Sequence, residues 1–421
     1  YEIGVRLVGS EMCIRDRYLS VRSQFRLKAS LAPLGDYRVF NSKSGQNINQ
    51  RVVPMQIDLR IASSKPVSEI VDFARRCEEA GFSGLGFVDS HTFLRDVYVV
   101  MAQVLQHTER IRVRPAVTCP GPRHTSVIAS VAKTVQELGP DRFELWLGRG
   151  GSANFLVGLS GLRLAEIRKA IVEIKAFMAG DWDVYQPAES VQKYGSETGT
   201  SKRAEHVRLY HGGGEPLPVY LTASGPLNAR LAGELCDGVL IHPVMANEEQ
   251  IGALRQWVAE GAALAGRQAS DVHEVLQMEG LVRDTLKDAV RAWSPRLVTP
   301  LAKPSGQQWL NKLGVDYDIS PLKEKLQEAA AKFLTFYPDN NHMEDWQAAE
   351  TVAEVVPYEL QEALVEKTAI AGDPDLVTRR MKDLEALGIH HIYLYPAESF
   401  TLPEHELRAF KEVIGPAFNL T

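Results

Sequence analysis

The chain has little cysteine. Its four residues, Cys13, Cys77, Cys119 and Cys236, lie far apart and never reach CxxC spacing. That argues against a disulfide framework and a cysteine-based zinc site, and it fits a reducing, cytoplasmic setting. Long apolar runs are also missing: none approaches the roughly 18 residues of a membrane span, so no membrane partner is expected. Positive charge is not in excess, and a formal net charge of −6 gives nucleic acid nothing obvious to bind. There is no HExxH and no other compact His/carboxylate cluster, so no metal site is expected. His206 and His211 fall in a loop-like stretch and read as ordinary surface residues. At 45% hydrophobic and 24% charged, the composition is that of a globular enzyme or binding protein with a small-molecule ligand.

Residues 1–54 read differently from the rest. Residues 1–51 hold nine Lys/Arg against four Asp/Glu and show no sustained periodicity. The segment lacks the apolar core of a secretory signal, although its basic, acid-poor composition shares features with organelle transit peptides. Gly9 to Arg17 resembles translated sequencing-adapter sequence. Residues 1–54 are therefore expected to be a poorly ordered extension outside the folded domain.

From Met55 the chain alternates strand and helix. Strands are predicted at Met55–Ile61, Gly84–Val88, Ile111–Thr118, Phe143–Leu147, Leu217–Thr222, Val239–His242, Val275–Val282 and His391–Tyr395. Each is short, β-branched or apolar, and bounded by turn residues. Between them lie helical spacings, such as Val127, Ile128, Val131, Val135 and Leu138 after Pro120-Gly121-Pro122. Residues 181–215 interrupt the rhythm with Gly, Ser, Thr and charge, with a small hairpin predicted near His206–Tyr210. Residues 284–368 are predicted to be mostly helical, with no strand signal and with Leu322–Phe333 and Trp346–Glu366 as the clearest pieces. Eight strands alternating with helices imply an α/β fold, a (β/α)8 TIM barrel over 55–421 with insertions after strands 4 and 7.

The strand ends narrow the chemistry. Strand 1 carries Asp58-Leu59-Arg60 where an amidohydrolase would place His-x-His, and no predicted strand carries the Lys of a Schiff-base aldolase. Phosphate binding is better supported. Gly148-Arg149-Gly150-Gly151-Ser152-Ala153 follows a strand and formally matches GxGxxA, although three βα units precede it where a dinucleotide fold would have none. Ser224-Gly225-Pro226 places small residues and a proline at a helix start, which leaves backbone N–H groups for an anion.

Residues 95–138, FELWLGRGGSA at 143–153, and LPVYLTASGPLNARLAGELCDGVLI at 217–241 resemble the luciferase-like superfamily. They are most similar to its deazaflavin-dependent branch of methylenetetrahydromethanopterin reductases. The resemblance runs from Met55 to about Val282 and resumes from Ala369-Ile370-Ala371-Gly372-Asp373-Pro374 to Tyr395. It implies a barrel holding a deazaflavin coenzyme (F-420), or alternatively FMN, at its C-terminal mouth. By position, Ala116-Val117 would form a bulged non-prolyl cis peptide behind the ring, with Thr118, Cys119, Arg123 and His124 lining the ring and its side chain. Gly148, Arg149, Gly150 and Ser152 would hold the ribityl chain or phosphate, and Ser224, Gly225 and Pro226 the phosphate.

Asp89 ends strand 2 where the family often has an acidic residue facing the ring. Some deazaflavin dehydrogenases follow that acid directly with a catalytic His. Here Ser90 intervenes and His91 comes one place later, a pattern closer to the reductases. His242 and Glu279, on strands 6 and 7, are proton-donor candidates by location. The implied activity is hydride transfer between the coenzyme and an organic substrate carbon, with 181–215 and 284–368 as cover. One alternative is an FMN-dependent two-component monooxygenase working with a flavin or deazaflavin reductase. Another is a flavin-binding protein without turnover. The resemblance also implies a homodimer or larger homo-oligomer.

Overall fold

The structure, a computed structural model, describes residues 54–182 and 207–420. The expectations for residues 1–53 and 183–206, His206 included, lie outside the described residues.

The elements run β1 (Gln56–Ile61), α1 (Val67–Ala80), β2 (Gly84–Phe87), α2 (Val97–His107), β3 (Arg112–Pro115), α3 (Thr125–Leu138), β4 (Leu145–Leu147), α4 (Ser152–Phe155) and α5 (Leu164–Ala179). They continue with β5 (Val219–Ala223), α6 (Pro226–Leu235), β6 (Gly238–Ile241), α7 (Glu248–Leu264) and β7 (His273–Val282). A helical block follows: α8 (Leu286–Trp293), α9 (Pro295–Ala302), α10 (Gly306–Lys312), α11 (Lys323–Phe333), α12 (Trp346–Ala353) and α13 (Tyr358–Thr368). The chain then returns through β8 (Ile370–Gly372), α14 (Pro374–Ala386), β9 (His391–Tyr395) and α15 (Glu404–Ala409).

All strand pairs are parallel, in the order β3-β2-β1-β9-β7-β6-β5-β4. Bridges Val113–Phe143 and Thr118–Leu147 join the two ends, so β1 to β7 and β9 make a (β/α)8 TIM barrel. Every strand of the barrel matches a predicted one. The helical block sits between β7 and β8, where the second insertion is expected, and has its own apolar core around Trp293, Leu297, Leu326, Phe333 and Leu360.

Three local expectations need correction. Trp346–Glu366 is two helices, because Pro357 lacks an N–H and restricts the residue before it. Ile370–Gly372 is a strand that the periodicity did not reveal: three residues are too few to show alternation, and it pairs only with Gly280–Val282 of β7. The described part of the hairpin expected near Tyr210 forms no strand.

Period-2 alternation divides each strand between two environments. Ile57, Leu59, Leu85, Val113, Leu145, Leu221, Val239, Leu276, Ile392 and Leu394 pack outward against the helices. The interior holds Trp146, Tyr220, Leu240, Val275 and Tyr393. At its N-terminal end it also holds a buried polar layer in which Arg114 is paired with Asp58, and His391 Nε2 lies 2.6 Å from Asp58. Gly86 and Gly238 make room for the rings of Tyr393 and Tyr220, where a side chain would collide.

Close helix packing on the outside depends on two more glycines. A Cβ on Gly233 of α6 would strike the carbonyl of Val258, and one on Gly261 of α7 would strike that of Arg230. Because both obstacles are backbone, the helices would have to part. Gly261→Ala is expected to cost about 1–3 kcal/mol, the usual range for overpacking. Denaturant unfolding followed by circular dichroism would read this as a lower midpoint, and an unchanged midpoint would show that the contact is not tight.

Candidate active site

Inward positions at the C-terminal ends of the strands, together with the loops that follow them, surround a cavity of about 760 Å³. That is within the usual size range for small-molecule and cofactor sites, and this is the barrel face where such sites lie. Contributions come from the ends of β2 to β7 and β9 and from the helical block. The end of β1 is used otherwise. Arg60 donates from Nη1 to the Pro396 carbonyl (2.8 Å) and from Nη2 to Ser399 Oγ (2.8 Å), tying down the loop after β9.

Asp89, after β2, is buried and accepts two hydrogen bonds on Oδ2: from Thr118 Oγ1 (2.6 Å) and from Arg123 Nη1 (2.6 Å). Arg123 is held in turn by Asp96, 3.0 Å from Nη2, and its guanidinium lies 5.4 Å from the centre of the Tyr98 ring. Both bonds to Asp89 fall on one oxygen, so Oδ1 is left for the cavity that Asp89 lines. Arg123 balances the carboxylate from behind.

The Ala116–Val117 peptide is cis, and both residues line the cavity just beyond β3. Next to them runs the loop from Gly148 to Ala153. A side chain at Gly148 would strike the Val117 methyl, so the absence of one lets loop and bulge meet. Ser152 Oγ lies 2.7 Å from Ser90 Oγ and links this loop to the end of β2. The buried Asn154 anchors it from below, donating from Nδ2 to the Ser160 carbonyl (2.7 Å).

On the next strand, Ser224-Gly225 leads into α6 with Pro226 in its first turn and no side chain capping the free N–H groups. Such a helix start attracts anions. Asn228 donates to the Thr222 carbonyl (3.1 Å), and its buried Oδ1 has no partner among the described residues. Here the backbone donors, small residues and an orphaned amide oxygen suit a phosphate-bearing tail with hydroxyls. The residues therefore fit a flavin-type coenzyme.

Across the barrel, Glu279 of β7 accepts from Trp293 Nε1 (2.9 Å), and Arg296 Nε approaches the same oxygen at 3.9 Å. Arg296 donates to the Ala397 carbonyl (3.0 Å). Burial holds the His242 imidazole below its ordinary pKa, against the opposing pull of Glu279. His342, from the loop after α11, is also held low by burial, against the pull of Asp339.

Of the residues singled out from sequence, Asp89, His242, Glu279, Ala116, Val117, Cys119, Gly148, Arg149, Gly150, Ser152, Ser224, Gly225 and Pro226 all line this one cavity. Three do not. Thr118 is fully buried behind Asp89, Arg123 acts through Asp89, and His124 caps α3 by accepting from the Ser126 N–H (3.2 Å). The cavity also includes Thr222, Gln277, Tyr395, Asn228, Arg296 and His342, which the sequence reading did not single out. The first three were within reach. Gln277 shares the inward register of Glu279, Tyr395 that of Tyr393, and Thr222 that of Tyr220. Arg296 and His342 belong to the helical block, where no strand register points to them.

Residues 51–391 match the family model described as luciferase-like monooxygenase. The chain is 30% identical over 220 residues to the 5,10-methylenetetrahydromethanopterin reductase of Methanolobus tindarius, a match covering 52% of this chain and 63% of that protein. It thus spans less than two thirds of that relative's length. It is 26% identical over 325 residues to the F-420-dependent glucose-6-phosphate dehydrogenase of Rhodococcus erythropolis, covering 74% of this chain and 79% of the other. The coenzyme F-420 dependent tetrahydromethanopterin reductase from Methanopyrus kandleri has the same fold, with a TM-score of 0.64 at 18% identity over 87% of this chain and 99% of that one.

Proposed function

We propose a function from one premise: the chain belongs to the luciferase-like monooxygenase family, and its cavity is built for a deazaflavin coenzyme of the F-420 type. The protein is an oxidoreductase that moves a hydride between that coenzyme and a carbon of a small organic substrate. One observation carries the reading. Two small-residue turns suited to phosphate, Gly148–Ala153 and Ser224–Pro226, open onto the same cavity as Asp89, His242 and Glu279.

When bound, the coenzyme supplies the two-electron chemistry. The chain's own residues bind and orient it. Ala116 and Val117 would back the ring, and Cys119 would line it. Gly148, Arg149, Gly150 and Ser152 would hold the ribityl chain or phosphate, and Ser224, Gly225 and Pro226 would hold the phosphate at the start of α6. Asp89, balanced by Arg123 and Thr118, presents an oxygen to the ring. His242 and Glu279 stand on the far wall as proton-handling groups, and the helical block shelters the mouth from water.

The functional unit is residues 55–421, acting as a homodimer or larger assembly on a small-molecule substrate in the cytoplasm. Cys77, Cys119 and Cys236 are free and buried, which supports a reducing setting. Among the described residues no helix is long and apolar enough to cross a membrane.

Fluorescence titration of the protein with oxidised deazaflavin coenzyme, and separately with FMN, tests the reading. Deazaflavin is expected to bind at least about tenfold more tightly, a difference of about 1.4 kcal/mol. The reverse preference would reject it in favour of two-component monooxygenation with a partner reductase. Binding of both without any electron exchange would indicate a flavin-binding protein.

A further inference from the structure

In the strand order, β7 lies diametrically across the barrel from β3. If the ring backs onto Ala116–Val117 after β3, its open face looks toward β7 and the helical block that follows. The wall there carries Glu279, Arg296 and His342. Glu279 is already engaged by the Trp293 indole and faces Arg296. His242 has no hydrogen-bonding partner to orient its ring among the described residues.

His342 is arranged differently. Its Nδ1 lies 3.0 and 3.1 Å from the two carboxylate oxygens of Asp339. Asp339 is fixed by accepting from the backbone N–H groups of Asn341 (2.7 Å) and His342 (3.0 Å). Burial pushes Asp339 up, but the His342 ring and those N–H groups hold it below its ordinary value, so it stays a carboxylate. An ionised acceptor at Nδ1 puts the ring proton there and leaves Nε2 with its lone pair. Nε2 has no partner among the described residues, and the ring lines the cavity. Phe93 packs against the ring at 5.2 Å between centroids, and Arg60 of β1 and Arg296 of α9 are the cations that disfavour its protonation.

We infer that His342, oriented by Asp339, is the general base that accepts the hydroxyl proton of an alcohol substrate, so that the reaction interconverts an alcohol and a carbonyl compound. The inference rests on the hydride-transfer reading above. In the oxidative direction the carbinol C–H bond breaks and its two electrons leave with the hydride to the deazaflavin, which is reduced. The O–H bond breaks, its proton passes to Nε2, and the C–O bond becomes C=O; the base then returns the proton to solvent. Hydride loss that leaves a cation, with no O–H or N–H proton to remove, would need no such base. His342 is the catalytic residue in this scheme and Asp339 a positioning residue.

The test uses the coenzyme-loaded protein, without oxygen, with 2-propanol, cyclohexanol and 2-hydroxybutyrate as probes. His342→Gln is expected to lower kcat by about 10²-fold or more while leaving deazaflavin affinity unchanged. The wild-type rate should fall as acid protonates the imidazole, below its ordinary range, and this limb should vanish in His342→Gln. Asp339→Asn should lower kcat less and displace the limb. Nitrogen-15 spectra of the histidine rings should show the His342 proton on Nδ1 in the wild type and a mixture in Asp339→Asn. Wild-type kcat and pH profile in His342→Gln, or a proton fixed on Nε2, would overturn the inference. So would a protein that binds deazaflavin but oxidises none of the alcohols, although the coenzyme assignment would survive. Failure to bind deazaflavin at all would overturn both.

Discussion

Arg114→Met is expected to destabilise the barrel by about 3–5 kcal/mol, the usual cost of removing one partner from a buried ion pair. Arg114 is fully buried at the N-terminal end of the interior, paired with Asp58. Its Nε lies 3.5 Å from Glu144, and its guanidinium lies 4.7 Å from the centre of the Trp146 ring. Methionine would fill much of the volume but leave Asp58 with His391 alone. Burial pushes Asp58 up, yet Arg114 and His391 hold it below its ordinary value of 3.8. In the wild type that contribution is present above the ordinary aspartate range and is lost as acid protonates the carboxylate through its lower folded value. Without Arg114 the largest influence opposing burial is gone and only His391 and Arg112 remain against it, so the folded state is expected to shift toward the protonated acid. The deficit of the variant should therefore be larger at pH 8 than at pH 5. Urea unfolding at the two values measures it, and a deficit absent or independent of pH would reject the account. None of these residues lines the cavity, so the variant that remains folded should bind coenzyme normally.

This division of the barrel was only half legible beforehand. Outward residues such as Ile57, Leu59, Leu276 and Ile392 are apolar because they meet helices, and that is the signal a strand search detects. The inward positions obey no such rule. At the N-terminal end they carry Asp58, Arg114 and His391, which look like surface residues in a sequence and become core only because the closed barrel pairs them. At the C-terminal end the same register carries Thr222, Gln277, Glu279 and Tyr395 into the cavity. Alternation alone would have found Gln277 beside Glu279, because their spacing of two fixes them on one face.

The site divided along a different line. Loops whose composition has a backbone reason, such as Gly148–Ser152 and Ser224–Pro226, could be recognised because small residues at a strand end or helix start leave backbone N–H groups open to an anion. Thr118, Arg123 and His124 could be placed near the ring by resemblance, but their partners could not. Arg123 turns to Asp89 and Asp96, and His124 to the start of α3, because each finds a local hydrogen bond there. His342 was illegible for a third reason. It approaches the barrel from a helical block packed around its own core, and nothing in Asp339-Asn340-Asn341-His342 says which way that block faces.

Gly150→Ala is expected to weaken deazaflavin binding by about ten- to a hundredfold. Gly150 sits at φ +97°, a backbone region in which a side chain meets the following carbonyl at a cost of about 1–2 kcal/mol. Its added Cβ would also lie 2.5 Å from Asn154 Nδ2 and 2.9 Å from Cys119 Sγ. Asn154 has little freedom to yield, since it is buried and Gly121 packs so close to the same amide that a Cβ there would also collide with it. The loop must therefore move, and it carries Arg149 and Ser152 with it. A displacement worth 1.4 kcal/mol is already tenfold in affinity. Gly225→Ala provides the contrast: a Cβ there meets no protein atom within 4 Å, although Gly225 lines the same cavity. It should leave the unfolding midpoint of the coenzyme-free protein unchanged and reduce coenzyme affinity only by intruding on the bound phosphate. Titrations of both variants, each paired with an unfolding curve, separate the two effects. If Gly150→Ala binds deazaflavin as tightly as the wild type, the Gly148–Ser152 loop does not hold the coenzyme. If Gly225→Ala does so as well, the phosphate lies elsewhere on the barrel mouth.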